Sequence, residues 1–333
     1  MIVSPKLGSP PLKGEVSFYH ASDEMTEGSR GRQQNLKLFE IYFVTFYLYG
    51  FSNLLIYSFV LYFSSKYAKI FRKEMIETKT NFHTHCQRCR HAFGTEEDYL
   101  KSAIEKNLDQ LGFSDHAPFP DHDFGNRMPF EELPDYISAI EQLKQKYPIP
   151  LFKGLEIEYF PKYSDYYKRL FGEYGIEYLI LGEHFYTAEN GDIKNIYFAE
   201  STLDYIYYAQ SVCDGIETGF FKFVAHPDLM FLNMFGWDGN CTKACEMIIE
   251  CAEKHNAILE FNANGYRRDE KFYPDGKRFP YPYINFWRMV KNTNLRVVIG
   301  SDCHEPHQVF DEKVELAYKT ANMLGLNVID TIF

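Results

Sequence analysis

The sequence lacks the features that mark several large classes of protein. Acidic residues outnumber basic ones by 46 to 35, and the net charge of −11 argues against a general nucleic-acid binder, which would present a basic surface. No glycine-rich phosphate loop with its lysine is present, so the sequence gives no sign of a nucleotide-binding P-loop. The seven cysteines are an odd number without the spacing of a disulfide framework, so we expect reduced thiols in a cytoplasmic protein.

A long apolar run occurs near the N-terminus, within a segment that differs from the rest of the chain. Residues 1–35 are polar and rich in Gly, Ser and Pro, and we expect them to be disordered. Residues 38–63 are nearly uncharged and long enough to span a bilayer. Basic residues follow the run, which would favour a cytoplasmic location for the chain after it. We therefore divide the chain into an N-terminal extension, 1–74, and a domain at 75–333.

The apolar run at 38–63 has three interpretations, which the sequence leaves open. It is a membrane anchor with a cytoplasmic catalytic domain, or it is a helix packed on that domain. Alternatively it is not native protein, because its composition resembles translated AT-rich DNA and Met75 would serve as the natural start. A membrane partner is expected only if the first interpretation holds.

From Thr78 onward, short apolar runs alternate with longer amphipathic segments, the pattern of βα units. About seven repeats of this kind predict an α/β barrel of the TIM type, whose active site lies at the carboxyl ends of the strands. The apolar runs are found around Phe82 and at 111–113, 151–157, 178–181, 223–225, 258–261 and 297–299. The helix candidates are 95–110, 131–147, 201–218, 242–255, 283–292 and 308–324.

A cluster of histidines follows the first apolar run, in the segment NFHTHCQRCRH at 81–91. His83 and His85 are two residues apart, so in extended chain both imidazoles leave the backbone on one side and can hold one metal ion. A single histidine at a strand end is more often structural than a ligand. Here, however, polar motifs follow nearly every apolar run, at 114–116, 154–156, 182–184, 225–227 and 300–304, which indicates a shared metal site.

The residue types at these strand ends indicate which metals the site would bind. Imidazole and carboxylate donors without thiolate suit Zn, Mn or Fe, and the donors are too numerous for one tetrahedral ion. We therefore expect two or three divalent ions with Glu156 as a bridging carboxylate. Two ions about 3.5–4 Å apart lower the pKa of a shared water and clamp both oxygens of an in-line displacement, the chemistry of phosphoester hydrolysis.

Cys86-x-x-Cys89 lies inside the histidine cluster, so a redox role and a zinc role have to be weighed. No second cysteine pair follows at zinc-finger spacing, and no thioredoxin-like pattern surrounds the pair. We therefore expect neither role. Cys303, between two candidate ligands, is expected to point away from them in extended chain.

Six motifs, taken together and in order, resemble those of the polymerase and histidinol phosphatase (PHP) superfamily, and the similarity is greatest to its monofunctional histidinol-phosphatases. The similarity covers the chain from about Met75 to the C-terminus. It implies a distorted seven-stranded βα barrel with a trinuclear metal centre. The motifs are HTH at 83–85, GFSDHAP at 112–118, GLE at 154–156, AHPD at 225–228, E-x-N-x-x-G-x-R at 260–267 and GSDCH at 300–304.

Transferred residue by residue, the resemblance implies nine metal ligands, of which His91 occupies a position where family members vary. It also implies catalytic roles for Asp115, Arg267 and His304. Asp115 would orient His116, or else cap a strand end, and Arg267 would bind phosphate, or else be a surface arginine easily confused with Arg268. The implied metal ligands are His83, His85, His91, His116, Glu156, His184, His226, Asp302 and His304.

Three further residues are candidates for substrate binding. Glu260 and Asn262 precede the arginine turn and either contact substrate or support the loop. Arg127 lies in a proline-bounded loop at 118–134, which either recognises an amino alcohol or is plain surface. His307 would protonate a leaving group or, as we prefer, be a surface histidine.

From this resemblance we expect a phosphomonoesterase that hydrolyses L-histidinol phosphate to L-histidinol and phosphate in histidine biosynthesis. The expected partner is a small phosphorylated substrate and not a nucleic acid. One rival is a phosphoesterase with another substrate, such as a nucleotide, a sugar phosphate or a phosphotyrosyl protein, because fold and metals do not fix the substrate. The other rival is a metal-binding module without catalytic activity.

Overall fold

The computed structural model describes residues 78–333. The predicted extension 1–74, with its apolar run at 38–63, lies outside the described residues. Between residues 78 and 333, every helix is too short or too polar to cross a membrane.

The strands are β1 Thr80–Asn81, β2 Gln110–Phe113, β3 Leu151–Ile157, β4 Tyr178–Leu181, β5 Phe185–Thr187, β6 Ile193–Asn195, β7 Phe221–Val224, β8 Ile258–Asn262, β9 Lys271–Tyr273, β10 Gly276–Arg278, β11 Arg296–Gly300 and β12 Asn327–Ile329. The α-helices are α1 Glu96–Glu105, α2 Leu133–Lys146, α3 Ser164–Gly172, α4 Leu203–Thr218, α5 Gly239–His255, α6 Ile284–Val290 and α7 Glu312–Leu324.

Eight of the strands form one parallel sheet in the order β1-β2-β3-β4-β7-β8-β11-β12, and the helices connect them. The α/β fold with a curled parallel sheet agrees in outline with the sequence prediction. The count of seven strands is not confirmed, because Asn327–Ile329 pairs with β11 as an eighth. Its three residues are exposed or only partly buried, so they do not form the apolar run by which the other strands were recognised.

The curl of the sheet brings the first histidine motif beside the last acidic motif. Just beyond the ends of β1 and β11, Thr84 and Cys303 form a parallel bridge, and His85 N–H donates to Cys303 C=O at 3.1 Å. The β12 strand pairs with the amino-terminal part of β11, starting at Arg296. His83 and His85 therefore lie directly next to the segment that carries Asp302 and His304.

The helix boundaries follow local signals that were partly visible in the sequence. Thr95 and Asp98 form the predicted capping box of α1, each side chain accepting from the other residue's backbone N–H. The helix was predicted to continue to about residue 110 but ends at Glu105, because Asn107 adopts the left-handed conformation at φ 57°. Helix α3 and the hairpins β5–β6 and β9–β10 were not predicted.

A small apolar cluster inside the curled sheet supports the polar strand ends. It includes Phe82, Ile180, Phe223 and Val298, each at most 2% exposed and each within a few residues of a candidate ligand. The Tyr178 hydroxyl lies 2.9 Å from the carbonyl oxygens of both Phe82 and Phe113, which satisfies the phenol at the bottom of the cluster. Fully burying side chains of this size contributes about 1.5–3 kcal/mol each, so the base of the site is firmly packed.

Candidate metal centre

The carboxylate of Glu156, at the end of β3, lies among five imidazole rings. Its Oε1 is 2.9 Å from His226 Nε2 and 3.7 Å from His184 Nε2. Because both oxygens face nitrogen donors from different strands, Glu156 has the position of a bridging carboxylate. Its Oε2 faces His116 Nδ1 at 3.0 Å, His85 Nε2 at 3.3 Å and His83 Nε2 at 3.4 Å.

His83 and His85 follow β1 in extended chain and point to the same side, as their spacing predicted. Both side chains are completely buried, and their Nε2 atoms lie 3.1 Å apart. His83 Nδ1 is 2.7 Å from Glu260 Oε1, which fixes the ring with its proton on Nδ1. The Nε2 atom of His83 is then a free donor for a cation, the arrangement that carboxylate–histidine pairs give to metal ligands.

Asp302 and His226 enter the cluster from strained turns at the ends of β11 and β7. Their φ angles are 48° and 30°, a region that non-glycine residues seldom adopt and that recurs at functional sites. Asp302 Oδ1 is 3.2 Å from His85 Nε2 and 3.7 Å from His83 Nε2.

Two glycines make room for the carboxylates at the centre. A Cβ atom on Gly182 would lie 2.2 Å from Glu156 Oε1, and one on Gly300 would lie 1.6 Å from Glu260 Oε1. Such distances are far below van der Waals contact, so any side chain at either position would displace a carboxylate. The glycines in the GEH and GSDCH segments are therefore explained by close approach.

His91 and His304 lie at the solvent side of the cluster, with Cys89 beneath them. Their Nε2 atoms are 2.8 Å apart, and His304 Nδ1 contacts the Asp302 carbonyl at 3.1 Å. We call Cys89, His91 and His304 the rim cluster. With it, the structure brings all nine predicted ligands together; that they bind metal remains a prediction.

The charges in the cluster are arranged to receive a cation. Burial acts to raise the pKa of Glu156, but the facing rings of His116, His83 and His184 outweigh it and hold this pKa well below its usual range. Burial acts to lower the pKa of His83, yet Glu260 and the other carboxylates raise it well above the usual value. The carboxylates thus favour positive charge here, which a proton or a metal ion supplies.

Several features of the site fit divalent metal ions. His226 Nδ1 is buried without a hydrogen-bond partner among the described residues, and Glu156 Oε2 is faced by imidazole nitrogens at 3.0, 3.3 and 3.4 Å. Burial lowers the pKa of His116 to about 3, which keeps its ring in the neutral form that ligates metals. Triplets such as His83, Glu156 and His226 hold their donor atoms within 4.8 Å of one another.

His184 is oriented by a buried ion pair that includes one predicted substrate residue. Its Nδ1 lies 3.0 Å from Glu158 Oε1, and Arg127 binds the same carboxylate through two nitrogens at 3.1 and 3.2 Å. Burial acts to raise the pKa of Glu158, but Arg127 and His184 outweigh it and set this pKa at about 2. Arg127 is only 5% exposed, and that it contacts substrate remains a prediction.

Glu260 and Asn262, the other proposed substrate contacts, support the metal cluster instead. Both are completely buried, and Asn262 Nδ2 donates to Glu260 Oε2 at 2.8 Å and to Asp302 Oδ2 at 3.1 Å. Glu260 Oε2 also accepts from His226 N–H at 2.9 Å. Of the two interpretations given for this pair, the structure therefore supports loop and ligand positioning.

Asp115 lies beside His85 as well as His116. Its Oδ1 accepts from His116 N–H at 2.9 Å and is 3.5 Å from His85 Nδ1. Its Oδ2 accepts from the Cys86 thiol at 2.9 Å. Asp115 therefore contacts His116 through its backbone and His85 through its ring, and that it orients a ligand remains a prediction.

The geometry does not support the phosphate-binding role predicted for Arg267. Its guanidinium pairs with Asp311 through two nitrogens, each at 2.9 Å, and also contacts Ser301 and the Gln308 carbonyl. The side chain is only 10% exposed. Because protein acceptors surround all three of its nitrogens, Arg267 holds the β11 turn to helix α7 and is not directed at the cluster.

The neighbouring Arg268 is exposed and lies over aromatic rings beside the cluster. Its guanidinium is 5.8 Å from the ring centre of Tyr197 and 5.5 Å from that of Tyr281, and its Nε donates to the Tyr281 hydroxyl at 3.2 Å. Tyr197 in turn stacks on His184 at 6.4 Å. No carboxylate of the described residues forms an ion pair with Arg268, so it remains able to bind an anion.

Glu158 was not predicted as a functional residue, and Arg267, which was predicted to bind phosphate, pairs with Asp311 instead of facing the cluster. Glu158 stands two residues after Glu156, and in a strand that spacing places both carboxylates on one side, so the signal was present. The choice between Arg267 and Arg268 depends on the 3-10 turn Asn264–Arg267, which aims adjacent side chains in different directions. That geometry is not readable from the motif.

Comparisons with known proteins show which family the chain is similar to. A family model described as "PHP domain" matches residues 81–264. The chain is 27% identical over 234 residues to a protein of Deinococcus radiodurans named "Probable histidinol-phosphatase", covering 68% of this chain and 86% of the relative. It is 25% identical over 264 residues to the histidinol-phosphatase of Bacillus subtilis, covering 69% of this chain and 95% of the relative.

A solved structure shares the fold. The histidinol phosphate phosphatase of Lactococcus lactis, solved in complex with zinc, L-histidinol and phosphate, superposes with a TM-score of 0.58 at 16% sequence identity. The alignment covers 76% of this chain and 95% of that protein.

Proposed function

Because the chain belongs to the PHP domain family, we propose that it is a metal-dependent phosphomonoesterase that hydrolyses L-histidinol phosphate to L-histidinol and phosphate. The observation that carries this proposal is the ring of imidazoles around the Glu156 carboxylate at the strand ends. The histidinol-phosphatase names of its relatives in Deinococcus and Bacillus support the choice of substrate. The zinc, L-histidinol and phosphate bound to the Lactococcus protein support both the metal-binding role of the cluster and the choice of substrate.

The cluster would hold two or three divalent ions, of which zinc, manganese and iron suit its imidazole and carboxylate donors. Glu156 would bridge two positions, with His226 and His184 on one side and His83, His85 and His116 on the other. When bound, such ions polarise phosphoryl oxygens, lower the pKa of water and stabilise the charge that develops in the transition state.

Arg268 takes the phosphate-binding role that Arg267 does not fill. Tyr281 fixes its Nε, which leaves the planar end of the guanidinium free to donate to two phosphate oxygens. Tyr197, between Arg268 and His184, covers one side of the site and limits access of water. A preorganised donor of this kind stabilises the negative charge that develops in the transition state more than it stabilises the charge of the bound substrate.

The amino alcohol has a candidate cavity beside the cluster. A space of about 250 Å³ lies between Arg90 and the loop that carries Pro118, Asp121, Asp123 and Glu131. Arg127 also lines the cavity, and its contact with Glu158, which in turn contacts His184, connects the cavity to the cluster. Its carboxylates suit the cationic groups of histidinol, and its size suits a small phosphorylated molecule better than a phosphorylated protein.

The proposal is tested by phosphate release from the purified full-length protein. L-histidinol phosphate is offered beside a nucleoside monophosphate, a sugar phosphate and a phosphotyrosine peptide, before chelation, after it, and after zinc or manganese is restored. We expect a clear preference for L-histidinol phosphate that chelation removes and metal restores. Metal-dependent release from another substrate alone would overturn the choice of substrate, and no release by metal-loaded protein would overturn the enzyme assignment.

A further inference from the structure

A buried carboxylate connects the turn that carries His226 to the segment that carries Tyr281. Asp228 stands two residues after His226 and is completely buried. Its Oδ2 accepts hydrogen bonds from Tyr283 N–H at 2.6 Å and from Trp287 Nε1–H at 2.9 Å. A buried carboxylate is costly unless such donors satisfy it, so these two bonds fix Asp228 and the start of helix α6 relative to each other.

Helix α6 also packs against the strand that supports the metal cluster. Trp287 is completely buried, and its ring centre lies 4.9 Å from that of Phe261 in β8. Phe261 stands between Glu260 and Asn262, both of which position predicted ligands. The start of α6 is therefore held by two contacts, the Trp287 ring on β8 and the carboxylate of Asp228.

Tyr281 lies just before this helix and carries the hydroxyl that contacts Arg268. Only Pro282 separates Tyr281 from Tyr283, and its ring restricts the backbone between them. Tyr281 is 1% exposed, and its hydroxyl accepts from Arg268 Nε at 3.2 Å. Because Asp228 fixes the N–H of Tyr283, it limits where the backbone of Tyr281, and with it the hydroxyl, can lie.

Tyr281 also contacts the backbone that leads to the arginine. A Cβ atom on Gly265 would lie 1.9 Å from the Tyr281 carbonyl oxygen, so a side chain at Gly265 would prevent this close approach. Gly265 belongs to the 3-10 turn Asn264–Arg267, which Arg268 follows directly. Displacement of Tyr281 would therefore displace both the turn and the guanidinium of Arg268.

We propose that Asp228 is a positioning residue, which acts through Tyr281 to hold Arg268 in the orientation that binds a phosphate group. In this role Asp228 does not touch the substrate. A long side chain binds an anion more tightly when its orientation is fixed in advance, because less conformational entropy is lost on binding. The proposal rests on the proposed function in taking Arg268 as the phosphate ligand, and it does not depend on which phosphomonoester is the substrate.

The test is a double-mutant cycle on the full-length, zinc-loaded protein, in which isothermal titration calorimetry measures the dissociation constant for inorganic phosphate. Asp228→Ala is expected to weaken phosphate binding roughly 10-fold, because Arg268 is present but less well oriented. In the Arg268→Ala background, the same change is expected to alter the constant less than roughly 2-fold. An equal loss in both backgrounds, or no loss in the parent, would overturn the proposal, because Asp228 would then act through the metal ligands or not at all.

Glu183→Gln is the matched control. Glu183 is 1% exposed, stands directly before a predicted ligand and accepts from Tyr159 N–H at 2.9 Å, so we expect this variant to bind phosphate as the parent does. Tyr281→Phe covers the case in which Asp228→Ala does not fold, because it removes only the hydroxyl that Arg268 contacts. It is expected to weaken phosphate binding in the parent and not in the Arg268→Ala background, and unchanged binding in the parent would overturn the role of Tyr281.

Phosphate release from L-histidinol phosphate is measured on the same samples. The calorimetry needs no turnover, so Arg268-dependent phosphate binding by a protein that releases no phosphate would overturn the proposed function and leave the role of Asp228 intact. Parent-like phosphate affinity in Arg268→Ala would overturn the phosphate-binding role of Arg268 and the role of Asp228 together.

Discussion

The site has a buried floor and an open mouth, and they are built differently. The floor consists of His83, His85, Glu156, Glu260 and Asp302, all at most 5% exposed. Carboxylates and asparagine amides fix each of its donors, as in the contacts of His83 with Glu260 and of Asp302 with Asn262.

The mouth consists of the rim cluster with Arg268 and Tyr197. Here backbone carbonyls orient the histidines, and an aromatic pair holds the arginine. The difference teaches that, in the proposed function, the floor would hold the metal ions, because its buried carboxylates favour positive charge. The mouth determines what is bound and how tightly, because its groups remain free for a ligand.

The largest effect is expected from removing a floor ligand. Asp302→Ala removes one of the carboxylates that face the buried His83 and His85, and with it a proposed metal ligand. We therefore expect loss of bound metal and a fall in turnover of roughly 10³-fold or more, beyond the ~10²–10³ of one lost charge-stabilising donor. Metal content and phosphate release are measured together. His307→Ala is the control, since that side chain is 70% exposed and contacts Glu305. Normal activity in Asp302→Ala would contradict the floor assignment.

The adjacent residues Arg267 and Arg268 are expected to have different roles, one in stability and the other in phosphate binding. Arg268→Ala removes the proposed phosphate ligand, and we expect turnover to fall roughly 10²-fold with metal content and unfolding midpoint unchanged. Arg267→Ala leaves Asp311 without its buried partner, and we expect a loss of about 3–5 kcal/mol in unfolding free energy. Steady-state kinetics and urea unfolding of both variants measure the changes in turnover and in unfolding free energy. If Arg267→Ala alone impaired phosphate binding, the roles would have to be exchanged.

A smaller effect is expected at His184, a predicted ligand whose ring contacts Glu158. Glu158→Gln keeps the shape of the side chain but weakens its contact with His184 Nδ1, and we expect metal affinity to fall roughly 10–100-fold. Equilibrium titration of the metal-free protein with zinc measures the change. Glu183→Gln is the matched control, because Glu183 is as buried as Glu158, accepts from Tyr159 N–H at 2.9 Å, and has its pKa raised by burial. Equal affinities in both variants would show that Glu158 does not position a ligand.

The sequence allowed the strand ends and their ligands to be predicted, because a parallel sheet collects its carboxyl ends at one edge. His83, Glu156 and Asp302 lie where this rule placed them. It did not reveal the eighth strand, whose residues are too polar and exposed to form an apolar run. The buried ion pairs of Arg127 and Arg267 were not predicted, because an arginine in a loop binds substrate or a buried carboxylate equally well, and only the fold brings Glu158 and Asp311 next to them.

The most direct test of this account is a crystal structure of the full-length protein grown with zinc and phosphate, with anomalous diffraction measured at the zinc edge. The account predicts anomalous peaks on both sides of the Glu156 carboxylate and a phosphate that accepts hydrogen bonds from Arg268. Zinc bound away from Glu156, or a phosphate held by Arg267 with Arg268 turned into solvent, would contradict it.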